Sequence, residues 1–301
     1  MKVEKVVIGI DFSPSSVEAA QWVSRHFSPG TELVLAHVIS LPAVPPIVRS
    51  RFPQRELLVD TLREGAEKKL KEISLSLGID RAWLEIREGE PVETLTTLAG
   101  EFAAGLVVAG AHGERGLQST LGSTAEHLVR ASTHPVLLVA NPRPRAPRHI
   151  LVPLDRQEDA PAALEWAGVL SRQHQANVTT IHVSTGGMAS GALAALAVVS
   201  GSPPIDVTLP HSVSAAPDQW VESAVAAGIP REQVSSEMVD GEPVQQILAA
   251  QERLDTDLIV MPRRSAGNLR RAVLGSVVAG VLRDAPCPIL VVPETPAGDD
   301  R

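Results

Sequence analysis

Short apolar runs recur along the chain, and the first ends at a carboxylate. It reads Lys5-Val-Val-Ile-Gly-Ile-Asp11, and its continuous apolarity is typical of a strand buried on both faces of a sheet. Similar runs follow at Leu33–Val38, Leu106–Ala109 and Pro135–Val139. The pattern predicts the strands of a parallel sheet that is covered on both faces.

Between these runs, apolar residues return every three or four positions, as they do along the buried face of a helix. The clearest series is Leu58, Leu62, Ala66, Leu70, Ile73 and Leu77. Gly78 follows it at the position of a C-terminal cap, and Ser13 before Pro14 predicts the start of an earlier helix. Strands that alternate with helices predict an α/β architecture with right-handed crossovers.

The whole pattern occurs twice, at offsets of 144 to 153 residues. The second copy contains the segments His149–Asp155, Val178–Val183, Asp240–Val244, Leu258–Met261 and Pro288–Val292. Duplication predicts a first domain at 1–141 and a second domain at 148–294. A proline-rich linker at 142–147 joins them, and a flexible tail follows at 295–301.

Composition and charge exclude several classes of protein. The chain has 44% hydrophobic and 21% charged residues and a net charge of -8, without the clustered lysines and arginines of a nucleic-acid binder. Its lone cysteine, Cys287, excludes an internal disulfide framework and favours a reducing compartment. The start lacks a signal peptide, and the most membrane-like stretch, Gly191–Val199, is too short to span a bilayer. We expect a cytoplasmic protein that binds neither membrane nor nucleic acid.

A glycine-rich loop follows the fourth strand and reads from Gly110 through Gly113 to Gly122-Ser123-Thr124. Glycines let the backbone approach a phosphate, and a helix that starts at Gly122–Thr124 adds unpaired N–H donors. If the first and fourth strands are neighbours, Asp11 and Gly110 face one crevice, where such sheets bind ligands. Alternatively, Ser123 and Glu126 form a plain capping box and the glycines are ordinary loop residues.

These features together resemble the universal stress protein family. The resemblance rests on Asp11, on His37-Val38 after the second strand, on the spaced glycines before Gly122-Ser123, and on the closing Pro-x-Leu-Val strands. It implies two doubly wound, Rossmann-like parallel sheets of five strands each, in the order 3-2-1-4-5, packed as a pseudo-dimer. We expect the apolar closing strands, Val136–Val139 and Ile289–Val292, to pair with each other.

The resemblance also implies an ATP site in the first domain. Asp11 would face the ribose, the backbone at Val38 would meet adenine, and Gly110 and Gly113 would line ribose and phosphate. Gly122, Ser123 and Thr124 would hold the phosphates, with Mg²⁺ arriving on them. The implied site residues are Asp11, Val38, Ala109, Gly110, Gly113, Gly122, Ser123 and Thr124.

Both copies depart from the family's loop of nine residues between the second and third glycines. The first copy has eight residues between Gly113 and Gly122. The second keeps nine but has Pro262 and Ser265 at the two earlier glycine positions, so we expect it to be degenerate. The second loop also carries Arg263, Arg264, Arg270 and Arg271, interpreted as a solvated face, with side-chain anion binding as the alternative.

The resemblance therefore implies a stress-response regulatory protein that binds adenine nucleotide mainly in its first domain. It shows no catalytic base and no metal-ligand set, and His37, His112 and His182 are interpreted as structural or loop histidines. We expect no enzyme activity beyond slow ATP hydrolysis. A nucleotide-free interaction scaffold is the main alternative, and an ATP-consuming enzyme is a third. Protein partners and a homodimer are left open.

Overall fold

The computed structural model describes residues 3–44, 46–50, 54–79, 81–111, 121–139, 145–155, 160–185, 217–263 and 274–293. Its contacts divide the chain into two units. Unit 1 comprises Met1–Arg145, Ala266–Leu274 and Pro286–Pro293, and unit 2 comprises Ala146–Ser265, Gly275–Ala285 and Glu294–Arg301. The closing strand of the second sequence copy therefore belongs to unit 1.

Unit 1 alternates strands with helices, as the apolar pattern predicts. Its first five strands are β1 (Lys5–Gly9), β2 (Glu32–Ile39), β3 (Trp83–Glu88), β4 (Leu106–Gly110) and β5 (Val136–Val139). Its helices are α1 (Pro14–His26), α2 (Pro46–Arg49), α3 (Arg55–Ser76), α4 (Pro91–Glu101) and α5 (Ser123–Ala131), with a 3-10 turn at Leu41–Ala43. These elements form an α/β unit, so the predicted fold class is confirmed.

The strands of unit 1 lie in the order β3-β2-β1-β4-β5, and each neighbouring pair is parallel. This is the predicted order 3-2-1-4-5. β1 lies between β2 and β4, so the chain reverses its direction of travel across the sheet there. The carboxyl ends of β1 and β4 consequently meet at the switch point, where open α/β sheets bind ligands.

A sixth strand, β10 (Ile289–Pro293), pairs antiparallel with β5 in unit 1. Leu290 lies opposite Leu137, and Val291 lies opposite Val136. The predicted pairing of the closing strands is confirmed, but the prediction of a five-stranded sheet is wrong. The reason is that β5 is apolar throughout, and β10 covers the edge that would otherwise be left unpaired.

Unit 2 repeats the same alternation. Its strands β6 (His149–Pro153), β7 (Asn177–Ser184), β8 (Val234–Asp240) and β9 (Leu258–Arg263) lie in the order β8-β7-β6-β9, and their described pairings are parallel. Its helices are α6 (Ala160–His174), α7 (Pro217–Ala226), α8 (Pro243–Arg253) and α9 (Ser276–Asp284), with a 3-10 turn at Arg231–Gln233. Four strands thus repeat the order of their counterparts in unit 1.

The apolar runs form the core of each unit because both faces of the sheets are covered. Val6, Val7 and Ile8 of β1 are completely buried, and so are the central residues 150–152 of β6. Two local predictions are also confirmed. The Ser13 side chain caps α1 by accepting from the Ser16 N–H, and Gly78 has a φ of +67° just after α3.

Several predicted features lie outside the described residues. They are the first half of the linker at 142–144, residues 186–210 with the apolar stretch at 191–199, and the tail at 295–301. Within the part of the chain that is described, no helix combines the length and apolarity needed to cross a bilayer.

Candidate functional site

Most of the predicted site residues that are described lie at the carboxyl edge of the unit 1 sheet. The register of β1 and β4 runs from Val6 opposite Leu106 to Ile8 opposite Val108. Asp11 lies two residues beyond β1, whereas Ala109 and Gly110 are the last two residues of β4. Neighbouring parallel strands thus bring the carboxylate and the glycine turn to one edge of the sheet.

The Asp11 carboxylate is exposed and has a defined orientation. Its Oδ1 accepts hydrogen bonds from the Ser13 backbone N–H at 3.0 Å and from the Ser13 hydroxyl at 2.5 Å. Ser13 is buried and also caps α1, so the carboxylate is tied to the first turn of that helix. Asp11 therefore faces solvent from a strand-to-helix turn in which its carboxylate is held by two hydrogen bonds.

Gly110 is required by packing between β4 and α1. A Cβ atom on this residue would lie 2.5 Å from Ser15 Oγ and 2.7 Å from both the Ser15 carbonyl carbon and the Ser16 nitrogen. The Ser15 hydroxyl in turn donates to the Val139 carbonyl at 3.2 Å. The start of α1 thus lies directly against the ends of β4 and β5. This reason for a glycine had no signal in the sequence.

The glycine-rich loop is closed at its base. The Gly122 N–H donates to the Ala111 carbonyl at 2.8 Å, and the Ala111 N–H donates to the Val139 carbonyl at 3.0 Å. Residues 112–120, which include His112 and Gly113, lie outside the described residues. Despite being one residue short, the loop leaves and rejoins the sheet edge at adjacent points.

Helix α5 begins without a side-chain cap. Gly122 is its N-cap residue, with φ -66° and ψ 141°, and no side chain of the described residues bonds to the first turn. The capping-box interpretation of Ser123 and Glu126 is therefore wrong, because Ser123 is already the first helical residue. Glu126 instead pairs with Arg130 at 2.7 Å. Ser123 and Thr124 are exposed, and a helix start without a side-chain cap among the described residues can offer its first N–H groups to an anion.

The end of β2 supplies a second wall beside Asp11. Val38 is half-buried and lies opposite Arg87 of β3. His37 Nδ1 lies 2.7 Å from the Ile10 carbonyl oxygen, so Nδ1 carries the hydrogen. Burial lowers the pKa of His37, whereas its bond to Ile10 and the Asp11 charge act in the opposite direction. The histidine is therefore a neutral structural group that joins β2 to the end of β1, as predicted.

Sequence reasoning missed two residues next to Asp11. Phe12 has a φ of +67°, and its ring centroid lies 4.4 Å from that of His37. Lys69 of α3 places its Nζ 5.0 Å from the centroid of the same ring. Phenylalanine rarely adopts a positive φ, and Lys69 lies far away in sequence, so neither contact had a local signal.

The equivalent edge of unit 2 is built differently. Asp155 is exposed beyond β6, and His182 Nδ1 lies 3.0 Å from the Leu154 carbonyl oxygen, as in unit 1. Pro262 and Arg263, however, end β9 where unit 1 has Gly110 and Ala111. Arg263 is only 8% exposed, so its assignment to a solvated face is wrong. As the last residue of a sheet strand, it packs against the protein. Arg264, Arg270 and Arg271 lie outside the described residues.

Neither unit shows a metal centre within its described residues. Among them, no group of three or more His, Cys, Asp and Glu side chains could hold a metal ion.

Comparisons with known proteins agree with the fold and with the duplication. The sequence model of the universal stress protein family matches residues 2–140 and 147–293. A universal stress protein of Thermus aquaticus is 29% identical over 143 residues, which cover 48% of this chain and 96% of that protein. A universal stress protein of Methanocaldococcus jannaschii is 41% identical over 59 residues, which cover 20% of this chain and 35% of that protein.

A solved structure extends the likeness to nearly the whole chain. The crystal structure of a universal stress protein from Archaeoglobus fulgidus superposes with a TM-score of 0.71 at 22% identity. The match covers 98% of this chain and 100% of that one, and at this identity it shows the fold alone. With both halves of the sequence matched by the family model, the chain belongs to the universal stress protein family and carries its domain twice in tandem.

Proposed function

We propose that unit 1 binds an adenine nucleotide, ATP, and that the protein acts as a regulator in the stress response. The observation that carries the proposal is the pairing of an oriented carboxylate with an uncapped helix. Asp11 and the start of α5 both lie at the carboxyl edge of adjacent strands. A nucleoside phosphate offers hydroxyl donors for the carboxylate and phosphate oxygens for the helix N–H groups.

The described geometry supports a specific assignment of groups. Asp11 accepts hydrogen bonds from the ribose hydroxyls, while the backbone at Val38 meets the adenine edge. Gly110, with Ala109 before it, shapes the turn next to the ribose. Gly122, Ser123 and Thr124 meet the phosphates through N–H groups and hydroxyls, and Gly113 completes the loop. Mg²⁺ would accompany the phosphates, since the described residues offer no carboxylate cage.

Ligand binding rather than catalysis is the proposed activity. Asp11, the carboxylate nearest to the proposed ligand, already accepts two hydrogen bonds from Ser13. His37 donates to a backbone carbonyl, and its ring lies against the Phe12 ring at an angle of 34°. Neither side chain is placed as a base that activates water, so ATP hydrolysis would be slow if it occurs. The lone buried Cys287 is consistent with a cytoplasmic protein.

Binding should be asymmetric between the units. In unit 2, Pro262 removes an N–H donor and the buried Arg263 takes the place of the small Ala111. We therefore propose one nucleotide site per chain.

Isothermal titration calorimetry with Mg-ATP tests this directly. The expected stoichiometry is close to one, Asp11→Asn abolishes or greatly weakens binding, and the matched variant Asp155→Asn leaves it unchanged. Absence of ATP, ADP and AMP binding to the intact wild-type chain would refute the proposal.

A nucleotide-free scaffold is the second candidate. The loop between Gly113 and Gly122 is one residue shorter than the family pattern, and this observation favours it. Absorbance of the purified protein separates the candidates: co-purified nucleotide raises the absorbance near 260 nm, whereas a scaffold shows only the protein spectrum.

A further inference from the structure

Phe12 has a backbone conformation that its position does not explain. Four non-glycine residues among those described have positive φ values, and three of them lie within two residues of the end of a helix: Ala103, Gln175 and Asp255. In each of those three turns the next N–H bonds back to a helix carbonyl, which is the usual left-handed helix end. Phe12 instead lies between β1 and α1, with φ +67°. A bulky side chain at such a φ is unfavourable unless its surroundings hold it there.

Two side chains from other elements hold the Phe12 ring. His37 of β2 lies against it with centroids 4.4 Å apart and planes inclined by 34°. Lys69 of α3 directs its ammonium group at the ring from 5.0 Å, a cation–π distance. The imidazole is itself fixed, because its Nδ1 donates to the Ile10 carbonyl. Among the described residues, Lys69 is the cation that contacts this ring.

The conformation of Phe12 determines where Asp11 points. Phe12 separates Asp11 from Ser13, and both hydrogen bonds to the carboxylate come from Ser13. The chain turns at Phe12, and this turn places the Ser13 N–H 3.0 Å from Asp11 Oδ1. We propose that Lys69 and His37, by holding the Phe12 ring, are positioning residues for Asp11 and set how tightly unit 1 holds the ribose hydroxyls of its nucleotide. This inference rests on the proposed function.

The second copy lacks the aromatic residue on which this arrangement depends. Asp155 corresponds to Asp11, and the residue after it is Arg156, which lies outside the described residues. The histidine bond to the first strand is kept, since His182 contacts the Leu154 carbonyl. The cation–aromatic contact is thus a property of the sequence of the first copy, which is also the copy with the glycine loop.

A ligand and mutant cycle tests the proposal. Affinities for Mg-ATP and for Mg-2′,3′-dideoxy-ATP are measured by calorimetry for the wild type, Lys69→Met, Lys69→Arg, Asp11→Asn and the Lys69→Met/Asp11→Asn double variant. Lys69→Met is expected to weaken ATP binding about tenfold and to leave dideoxy-ATP binding unchanged. Lys69→Arg retains binding because it keeps the cation. The double variant binds ATP no more weakly than Asp11→Asn. Lys71→Met, an exposed change on the same helix, is the matched control.

Equal losses for the two ligands, or a Lys69→Met loss that adds to that of Asp11→Asn, would overturn the proposal. Failure of the proposed function is recognised separately, as absence of ATP binding to the wild type. In that case the ¹³C carboxyl resonance of Asp11 in the ligand-free protein tests whether Lys69 positions Asp11. A shift in Lys69→Met that is absent in Lys71→Met supports positioning, and an unchanged resonance contradicts it.

Discussion

Gly110 and Ser15 are packed so closely that a Cβ atom on residue 110 would lie 2.5 Å from the Ser15 hydroxyl oxygen. Backbone atoms of Ser15 and Ser16 lie within 2.7 Å of the same point, so rotation of one side chain cannot relieve the clash. Gly110, which the sequence associates with phosphate binding, thus also allows the end of β4 to pack against the start of α1.

Gly110→Ala is therefore expected to destabilise unit 1 by about 1–3 kcal/mol, because an added methyl group must displace backbone. Urea denaturation measures the change in the free energy of unfolding. Gly65→Ala is the matched control, since a Cβ there meets nothing within 4 Å in the middle of α3. It should stabilise the protein by up to about 1 kcal/mol. Equal stability of the two variants would contradict the packing argument.

Ser13→Ala and Ser123→Ala should differ in their effect on stability. Ser13→Ala removes the cap of α1 and is expected to cost about 1 kcal/mol of stability. Ser123→Ala should leave stability nearly unchanged, because Gly122 is the N-cap of α5. It should nevertheless weaken ATP binding by removing a hydroxyl from the proposed phosphate site. Denaturation and calorimetry on both variants check the prediction, and a stability loss in Ser123→Ala would restore the capping-box interpretation.

Stability should fall as pH drops below about 6.5, the ordinary histidine pKa. Burial lowers the pKa of His37, so the folded state takes up this proton less readily than the unfolded state does. The destabilisation grows until pH passes below the lowered pKa. His37→Phe keeps a ring against Phe12 but removes the titrating group. Below pH 6.5, the free energy of unfolding of this variant should therefore fall less steeply with decreasing pH than that of the wild type. The slope should not vanish, because burial also lowers the pKa of His134 and His149.

Two neighbouring threonines of β7 should respond in opposite ways. Thr179 Oγ1 lies 2.7 Å from His149 Nε2 and 2.8 Å from Ser235 Oγ, whereas the buried Thr180 hydroxyl has no hydrogen-bond partner among the residues that the structure describes. Thr179→Val should destabilise unit 2 by about 1–3 kcal/mol, because it removes both hydrogen bonds of the buried Thr179 hydroxyl, each worth about 0.5–1.5 kcal/mol. Thr180→Val removes an unpaired polar group and should be neutral or stabilising. Thermal unfolding of the two variants provides the comparison, and a larger loss for Thr180→Val would disprove it.

Much of the fold was predictable because its signals are local. Apolar runs mark the strands, Ser13-Pro14 marks the start of α1, and Gly78 marks the end of α3; all three agree with the structure. The duplication strengthens the prediction of the strands, because each apolar run occurs in both copies of the sequence. The candidate site was predictable only in outline, through Asp11 and Gly110 at the ends of two strands that the predicted order makes neighbours.

The sequence alone determined the repeated α/β pattern and the difference between a glycine-bearing loop and a copy that lacks two of its glycines, whereas the order of strands came from the family resemblance. Tertiary structure decided which groups surround Asp11, because Phe12, Lys69 and Ser15 act through contacts between residues that are distant in sequence or through a backbone angle that phenylalanine seldom adopts. It also decided that β10 covers β5 and that Arg263 is buried. Periodicity reports which face of an element is apolar, whereas packing against a particular neighbour appears only once the chain has folded.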